Sequence, residues 1–380
     1  MNFDNTAVLA MRYIARALRA LRYDEGVPPL TEGLDWHAVF AMAKKHTVDS
    51  SLWYLLEPAV RSTGQTALID KWEGSRTMDF AKNLVQTREF AALTAIFTEN
   101  KIPFLPMKGF LFKELWARPE HRTMADMDFL VRESDLARVG ELLLARGYRV
   151  DVEEGEVHDT YDKPPYLHVE VHRSLFPRDT DGFEKWTPRE DNPYWYVMSP
   201  EDFLVFNVGH IHKHFVSGGC GARSLFDVYL YLRERGDTLD MPLVEKKLRE
   251  KGLWDFYIRM LHLICFWYAD GEYPFATDPL YVVDGKPTAE LLESEYFIIT
   301  GGAYGSEKNR VEYQLARKSK LRYLFEISFP PYRVMWHHYP VLKKWKILIP
   351  FAYVYRFFAY LASGKVKRFV KYIFGRREKK

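Results

Sequence analysis

The sequence predicts an α/β core set between two helical regions, and three observations carry that prediction. Apolar residues recur at three-to-four spacing through most of the first hundred positions and again beyond about residue 200, which is helical periodicity. Between these regions YLHVEVH (166–172) alternates strictly, with Leu167, Val169 and Val171 on one face and His168, Glu170 and His172 on the other, the pattern of a half-exposed strand. MADMDFLV (124–131) sets two aspartates, one residue apart, at the mouth of a short apolar run.

The elements follow in order. Residues 5–22, 35–56 and 78–100 read as helices, with Thr31 or Asp35 as the N-cap before WHAVFAMAKKH. The first of these carries Arg12, Arg16 and Arg19 among its apolar residues, and it lacks the uninterrupted apolar core and cleavage site of a signal peptide. At 101 the texture changes. IPFLPMKG is a short apolar run that ends at Lys108-Gly109, FLFKELW (110–116) returns to helical spacing, and DMDFLV is strand-like. SDLARVGELLLARGY (134–148) reads as a helix capped by Ser134 and stopped at Gly147. Residues 101–172 thus run strand, helix, strand, helix, strand. Past the Pro-rich patch PREDNPYWYVMSPED (188–202) helical periodicity resumes, and GGAYGS (301–306) reads as a loop because it lacks dinucleotide-loop spacing and strand context. The expected organisation is a helical region over 1–90, an α/β core over 91–195, a second helical region over 196–364 and a basic tail over 365–380.

Composition narrows the class. An apolar fraction of 47% and a charged fraction of 28% over 380 residues are those of a globular protein. Two cysteines, Cys220 and Cys265, both in surroundings that read as buried helix, are too few for a disulfide framework or a zinc module, which points to a reducing, cytoplasmic setting. ILIPFAYVYRFFAYLA (347–362) is broken by Pro350 and Arg356, short of the roughly 18–20 clean apolar residues a spanning helix needs, and reads as a buried or interfacial helix. The last sixteen residues hold eight Lys or Arg and one Glu, so this tail carries +7 against a formal total of +3, leaving about −4 for the rest. With Phe369, Tyr372, Ile373 and Phe374 interleaved, it suits an anionic surface, either RNA or the inner face of a membrane, and equally a solvated terminus.

On a strand, residues i and i+2 point the same way, so Asp126 and Asp128 share a face about 6–7 Å apart. Two like charges so placed repel, and burial sharpens the repulsion. Either they belong to a solvated turn or a cation sits between them, and carboxylate oxygen suits Mg²⁺ or Mn²⁺. Glu170, on the polar face of another strand, is the natural third carboxylate. Lys108 and Gly109 follow the first strand, where glycine lets backbone approach a phosphate and lysine neutralises it. His168 and His172 are about 13 Å apart along a strand, too far to share one metal, yet able to flank an acceptor or order Glu170. His210 and His214 in HIHKH lie one helical turn apart and can ligate together, with His212 pointing elsewhere, although a zinc site needs more ligands than these. Asp227 is a lone acid in the apolar SLFDVYLYL, with Arg223 or a histidine of 210–214 as its partner, or a role in binding substrate.

The stretch FLPMKGFLFKELWARPEHRTMADMDFLVRESDLARVGELLLARGYRV, followed by LHVEVHRSLF, resembles the bacterial nucleotidyltransferase-like family of the polymerase-β superfamily, in its branch with a KG…RxxxDxD…HxExH pattern. DWHAVFAMAKKHTVDSSLWYLL upstream and FLVFNVGHIHKHF with LFDVYLYL downstream share the resemblance, which spans roughly 35–235. It implies a polymerase-β-like core with a small mixed sheet, and two metal ions held by Asp126, Asp128 and Glu170. It also implies an NTP whose phosphates lie near Lys108 and Gly109, Arg122 as a further phosphate or carboxylate contact, and a hydroxyl-bearing acceptor that is a small molecule, a protein or an RNA end. Two positions depart from the superfamily's pattern: Lys108-Gly109 stands where Gly-Ser is usual, and Glu170 where Asp is frequent. The competing expectation is a non-catalytic protein of the same fold, a regulatory or antitoxin-like binding module, peripheral to a membrane through its tail. Three converging acids argue against it.

Overall fold

Helices open the chain, and their ends follow local chemistry. The computed structural model describes residues 5–152, 157–177, 179, 182–269, 282–283, 286–332, 335, 339 and 341–362. Helix α1 (Asn5–Tyr23) buries Ala10, Met11, Ile14 and Leu18 on one stripe. Asp35 caps α2 (Trp36–Lys45), its carboxylate accepting the Ala38 N–H at 2.7 Å. The single helix expected over 35–56 is two: the backbone turns at Thr47, whose φ is +57°, before α3 (Asp49–Arg61) begins. Helix α4 (Thr66–Glu99) starts twelve residues earlier than its periodicity announced. The reason is a change of partner along its length. Leu68, Ile69 and Trp72 pack into the helical core, whereas Leu93 and Phe97 pack on the sheet, so no one apolar stripe runs through it.

A seven-stranded mixed sheet follows, in the order β3-β4-β5-β2-β1-β7-β6. Strands β1 (Phe104–Met107) and β2 (Met127–Val131) pair antiparallel, and β2 pairs parallel with β5 (Leu167–His172). Short helix α5 (Gly109–Lys113) leaves β1, and α6 (Leu136–Ala145) returns the chain toward β3 (Arg149–Val152). Helix α6 ends as expected at Gly147, which adopts φ +89°. Its start differs: a 3₁₀ turn over Glu133–Asp135 precedes it, and no side chain caps it. Strand β4 (His158–Lys163) was not legible in the sequence, nor was the hairpin of β6 (Thr187–Arg189) and β7 (Asn192–Val197) inside the Pro-rich patch.

The sheet's two faces differ in kind. Met127, Phe129, Val131, Val169 and Val171 bury against α4 and α6. The opposite face carries Asp128, Glu170 and His172, while Leu105, Met107 and Leu130 pack with residues of α7 (Pro200–Val216). Ser199 caps α7 and places it over that face, its hydroxyl accepting the Asp202 N–H at 3.1 Å. Helices α8 (Ala222–Arg235), α9 (Met241–Glu250), α10 (Trp254–Tyr268), α11 (Ala289–Gly301), α12 (Glu307–Leu315) and α13 (Lys320–Ser328) continue the chain. The first and last helical regions share a core, and Arg12 of α1 meets the buried Glu295 of α11 at 2.7 Å.

One expectation is corrected here and two are sharpened. Cys265 sits in α10, but Cys220 lies in the loop before α8, buried and free. The helix Ile349–Ala362 is not buried; it exposes Phe351, Val354, Tyr355 and Phe358. GGAYGS is a loop, although Gly301 still belongs to α11, and it packs so closely on Gly218 and Gly219 that a Cβ at Gly301 would sit 2.5 Å from the Gly218 carbonyl. The basic tail 365–380 lies outside the described residues. Among the described residues no helix is long and apolar enough to cross a membrane.

Candidate active site

The register of the central strands assembles the acids. Asp128 lies opposite Met107 on one side and opposite Glu170 on the other, because β2 pairs with β1 and β5 at those positions. Asp126 precedes β2 by one residue and shares Asp128's face. One oxygen from each of Asp126, Asp128 and Glu170 lies within 4.8 Å of the other two. All five residues of β2 are buried, so Asp128 cannot escape to water. Its Oδ2 is buried without a hydrogen-bond partner among the described residues. That orphaned anionic oxygen, beside two further carboxylates, fits a hard divalent cation. The loop before β2 is held from two helices. Gln86 of α4 donates to the Met124 and Ala125 carbonyls at 3.3 and 3.4 Å, and Arg223 of α8 donates to Thr123 O and Oγ1 at 2.6 and 2.7 Å.

Lys108 reaches into the acids from the other end. Its backbone adopts φ +49° and ψ −113°, a strained region for a residue with a side chain. Its Nζ lies 2.5 Å from Asp128 Oδ1 and 3.5 Å from Glu170 Oε2. Burial alone would lower the lysine pKa; Asp128, Glu170 and Asp126 outweigh it and hold the ammonium charged. Burial raises the Asp128 pKa, Lys108 opposes and Asp126 adds to the rise. Glu170 goes the other way: burial is overcome by its hydrogen bond to His172 and by Lys108, and the carboxylate is held ionised. Gly109 is a tight neighbour, since a Cβ there would lie 2.5 Å from Met124 Sδ and 3.2 Å from Arg122 Nη1.

Of the predicted histidines, His172 touches the acids directly, its Nε2 3.1 Å from Asp128 Oδ1 and 3.2 Å from Glu170 Oε2. His168 instead faces Asp162, 2.5 Å from its Oδ1. His210 and His214 bring their Nε2 atoms within 3.1 Å of each other, and His212 turns away onto Phe256. Burial, then the positive charge of nearby Lys108, pushes the His210 pKa well below its usual value; burial and Lys213 lower that of His214. Both rings are therefore neutral near pH 7.

Asp227 pairs neither with Arg223 nor with a histidine. Its partner is Arg122, which donates from Nε and Nη2 to the two carboxylate oxygens at 2.9 and 2.7 Å and from Nη1 to the Gly109 carbonyl at 3.1 Å. Trp116 Nε1 adds a third donor to Asp227, at 2.9 Å from Oδ1. A fork-on-fork pair of this kind fixes α8 against the 108–109 loop. Sequence reasoning missed Arg223 as a site residue. It lines a pocket together with Lys108, Asp126, Asn207, His210 and Ser224. No carboxylate among the described residues forms an ion pair with it, and its Nε is buried without a partner. Burial and then the like charge of Arg122 lower its pKa. It also missed His158 on β4, 3.7 Å from Glu170 Oε1.

Residues 32–269 match the model of a family described as uncharacterised nucleotidyltransferase. No curated protein matches the chain. Two solved structures resemble it. The antibiotic-resistance factor ANT(2'')-Ia is 11% identical, aligned over 44% of this chain and 94% of its own, with a TM-score of 0.36. The lincosamide antibiotic adenylyltransferase LnuA, solved with lincomycin, is 15% identical over 38% of this chain and 94% of its own, with a TM-score of 0.30.

Proposed function

Since the chain belongs to this nucleotidyltransferase family, we propose that its mixed sheet forms a polymerase-β-like core and that it moves a nucleoside monophosphate from an NTP to a hydroxyl acceptor with a divalent metal ion held by Asp126, Asp128 and Glu170. The observation that carries the metal is the buried, unpartnered Asp128 Oδ2 within a three-carboxylate cradle. Bound Mg²⁺ or Mn²⁺ supplies charge stabilisation at the α-phosphate.

The chain's own residues do the rest by position and charge. The acceptor oxygen bonds to the α-phosphorus as the bond to pyrophosphate breaks. Glu170, whose pKa is held low, suits a ligand better than a base. We place neutral His210 on the acceptor side, where it lines the same pocket as Lys108 and Asp126 and accepts a hydrogen bond from the hydroxyl, whose proton passes to solvent. Arg223 receives the phosphates, because Arg122 is already spent on Asp227 while Arg223 carries no carboxylate. Lys108 then has a different task from a phosphate contact: its ammonium neutralises Asp128 and Glu170 from within, in place of a second metal ion. Gly109 keeps the loop close enough for that reach. We take 91–195 as the catalytic unit, with α7 and α8 closing the pocket over it.

The free, buried cysteines and the NTP requirement favour the cytoplasm. A peripheral position at the membrane's inner face has its own support, in the exposed aromatic surface of Ile349–Ala362 just ahead of the +7 tail.

Incubating the chain with each labelled NTP, Mg²⁺ or Mn²⁺ and a cell extract tests the reading. A metal-dependent labelled metabolite, protein or RNA supports it and names the acceptor. NTP binding without any transfer, in wild type and Asp126→Asn alike, favours the regulatory alternative.

A further inference from the structure

A second ligand cluster adjoins the acidic one and differs from it chemically. Strands β4 and β5 pair antiparallel with His158 directly opposite His172. Glu170, two residues earlier on β5, projects from the same face. His172 Nε2 is 3.2 Å from Glu170 Oε2, His158 Nε2 is 3.7 Å from Glu170 Oε1, and the two imidazole centroids are 4.7 Å apart. One ligand atom from each of the three residues lies within 4.8 Å of the other two.

A second observation concerns nitrogens that carry no hydrogen bond. The Nδ1 atoms of both His158 and His172 are buried without a partner among the described residues. An unpartnered imidazole nitrogen in a buried site is costly unless something binds it. Both rings flank one carboxylate, which each meets through its Nε2. The side chains of His158 and Glu170 keep 21% and 17% of their surface exposed, so an ion can reach them from solvent.

We propose that His158, Glu170 and His172 bind a first-row transition-metal ion of the Zn²⁺ or Co²⁺ kind, in a site separate from the Asp126–Asp128 cradle and sharing Glu170 with it. Imidazole nitrogen favours such ions, whereas the all-oxygen cradle favours Mg²⁺. The fit needs little movement. Donors no more than 4.8 Å apart lie at most about 2.8 Å from a common centre, so reaching a bond of about 2.0–2.1 Å takes shifts of roughly 0.7 Å or less. Lys108 and His172 Nε2 meet the same Asp128 Oδ1 and Glu170 Oε2, whereas His158 faces Oε1, so the ion enters from the Oε1 side, away from the ammonium. Two of the three protein ligands that a catalytic zinc site keeps are thus histidines, with open positions left over.

The inference rests on the β4–β5 geometry alone and is read without any transfer assay. Metal-stripped full-length chain is titrated with Co²⁺, following its visible absorption, and then with Zn²⁺ as competitor. Wild type is expected to give the intense bands of a four- or five-coordinate nitrogen-ligated ion, abolished by Zn²⁺ and not by millimolar Mg²⁺. His158→Gln is expected to weaken Co²⁺ binding by more than about 100-fold, beyond the loss of an outer-shell partner. Asp126→Asn is expected to leave the spectrum unchanged. Only the weak bands of octahedral oxygen-ligated Co²⁺ in wild type would overturn the proposal, with no variant needed. So would a spectrum kept by His158→Gln, or one lost in Asp126→Asn.

Discussion

The ammonium of Lys108 sits 2.5 Å from Asp128 Oδ1, both groups buried. A lysine that resides among three carboxylates changes their electrostatics. It supplies a permanent positive charge that the carboxylates can share when no metal ion is bound. Removing one partner of a buried pair leaves the other uncompensated, which costs about 3–5 kcal/mol. Lys108→Met is therefore expected to lower metal-free stability by about that amount. Millimolar Mg²⁺ is expected to restore a larger share of the loss than it adds to wild type. Thermal melts with and without Mg²⁺ decide it; a variant as stable as wild type without metal removes Lys108 from this role.

Asp126 and Asp128 are expected to separate in their effects, although both belong to the cradle. Asp128 bonds Lys108 and His172, whereas Asp126 lies partly exposed at the strand mouth. Asp126→Asn should abolish metal-dependent NTP turnover and leave the melt nearly unchanged. Asp128→Asn should abolish turnover and also destabilise the fold by about 2 kcal/mol or more, because a charged hydrogen-bond network is broken. Equal turnover in Asp126→Asn and wild type would sink the metal assignment.

Two arginines one helix apart give a further contrast. Arg122 is bidentate to Asp227, and Arg223 lines the pocket with no acid of its own. Arg223→Ala is expected to raise KM for NTP about 10–100-fold, as loss of a charged hydrogen bond of about 1.5–3 kcal/mol implies, with kcat less affected. Arg122→Ala should instead unfold α8 from the 108–109 loop and appear as a loss of stability. Steady-state kinetics beside urea unfolding separates them, and the reverse assignment would follow if KM moved only in Arg122→Ala.

How far this site could be read in the sequence depends on what each residue leaves in the pattern. Asp126, Asp128 and Glu170 stand out because an acid beside an apolar strand breaks an otherwise plain alternation. Arg122 and Asp227 stand out equally, but their pairing joins positions 105 residues apart and only the fold reveals it. His158 left no signal because HDTYDK has too few apolar residues to announce a strand; its place comes from pairing with β5, not from its own alternation. Strands β6 and β7 were hidden by prolines at 188 and 193, tolerated because β6 is at the sheet edge and Pro193 falls outside the paired positions of β7, where the β6 register shifts. The long α4 was read short for a similar reason, since its two halves bury against different cores.

His46 provides a test of the helical scaffold. It is fully buried where α2 ends, and its Nδ1 accepts the Ala222 N–H at the start of α8, 3.1 Å away. Burial first, then Lys45, lowers its pKa to about 3. The folded value lies below the unfolded value of about 6.5, so between these limits the unfolded chain binds the extra proton. Stability is thus expected to fall as pH drops from about 6.5 toward 3, at about 1.4 kcal/mol per pH unit from this group alone. His46→Asn keeps an acceptor and removes the titration. Its stability against pH, from urea midpoints, should be shallower by that slope; parallel profiles would contradict the assignment.

The exposed aromatic surface before the tail yields the last prediction. Phe351, Tyr355 and Phe358 are 71%, 65% and 62% exposed, and Trp345 and Ile347 lie just ahead of them. An apolar surface of this kind is costly in water and marks a place of contact. The tail that follows holds eight basic residues and one acid, which matches an anionic lipid surface in charge. Each basic residue near such a surface contributes about 1 kcal/mol at physiological salt. Co-sedimentation is expected with vesicles containing phosphatidylserine and not with neutral phosphatidylcholine vesicles. High salt should weaken it, because charges more than about 8 Å apart are screened at physiological ionic strength and more so above it. Phe351→Ser with Phe358→Ser should reduce binding at fixed charge, since inserted rings contribute apolar area that salt does not screen. If the double variant binds as wild type does, the tail alone carries the attraction. If neither binds vesicles but both retain single-stranded RNA, the surface belongs to a nucleic acid instead.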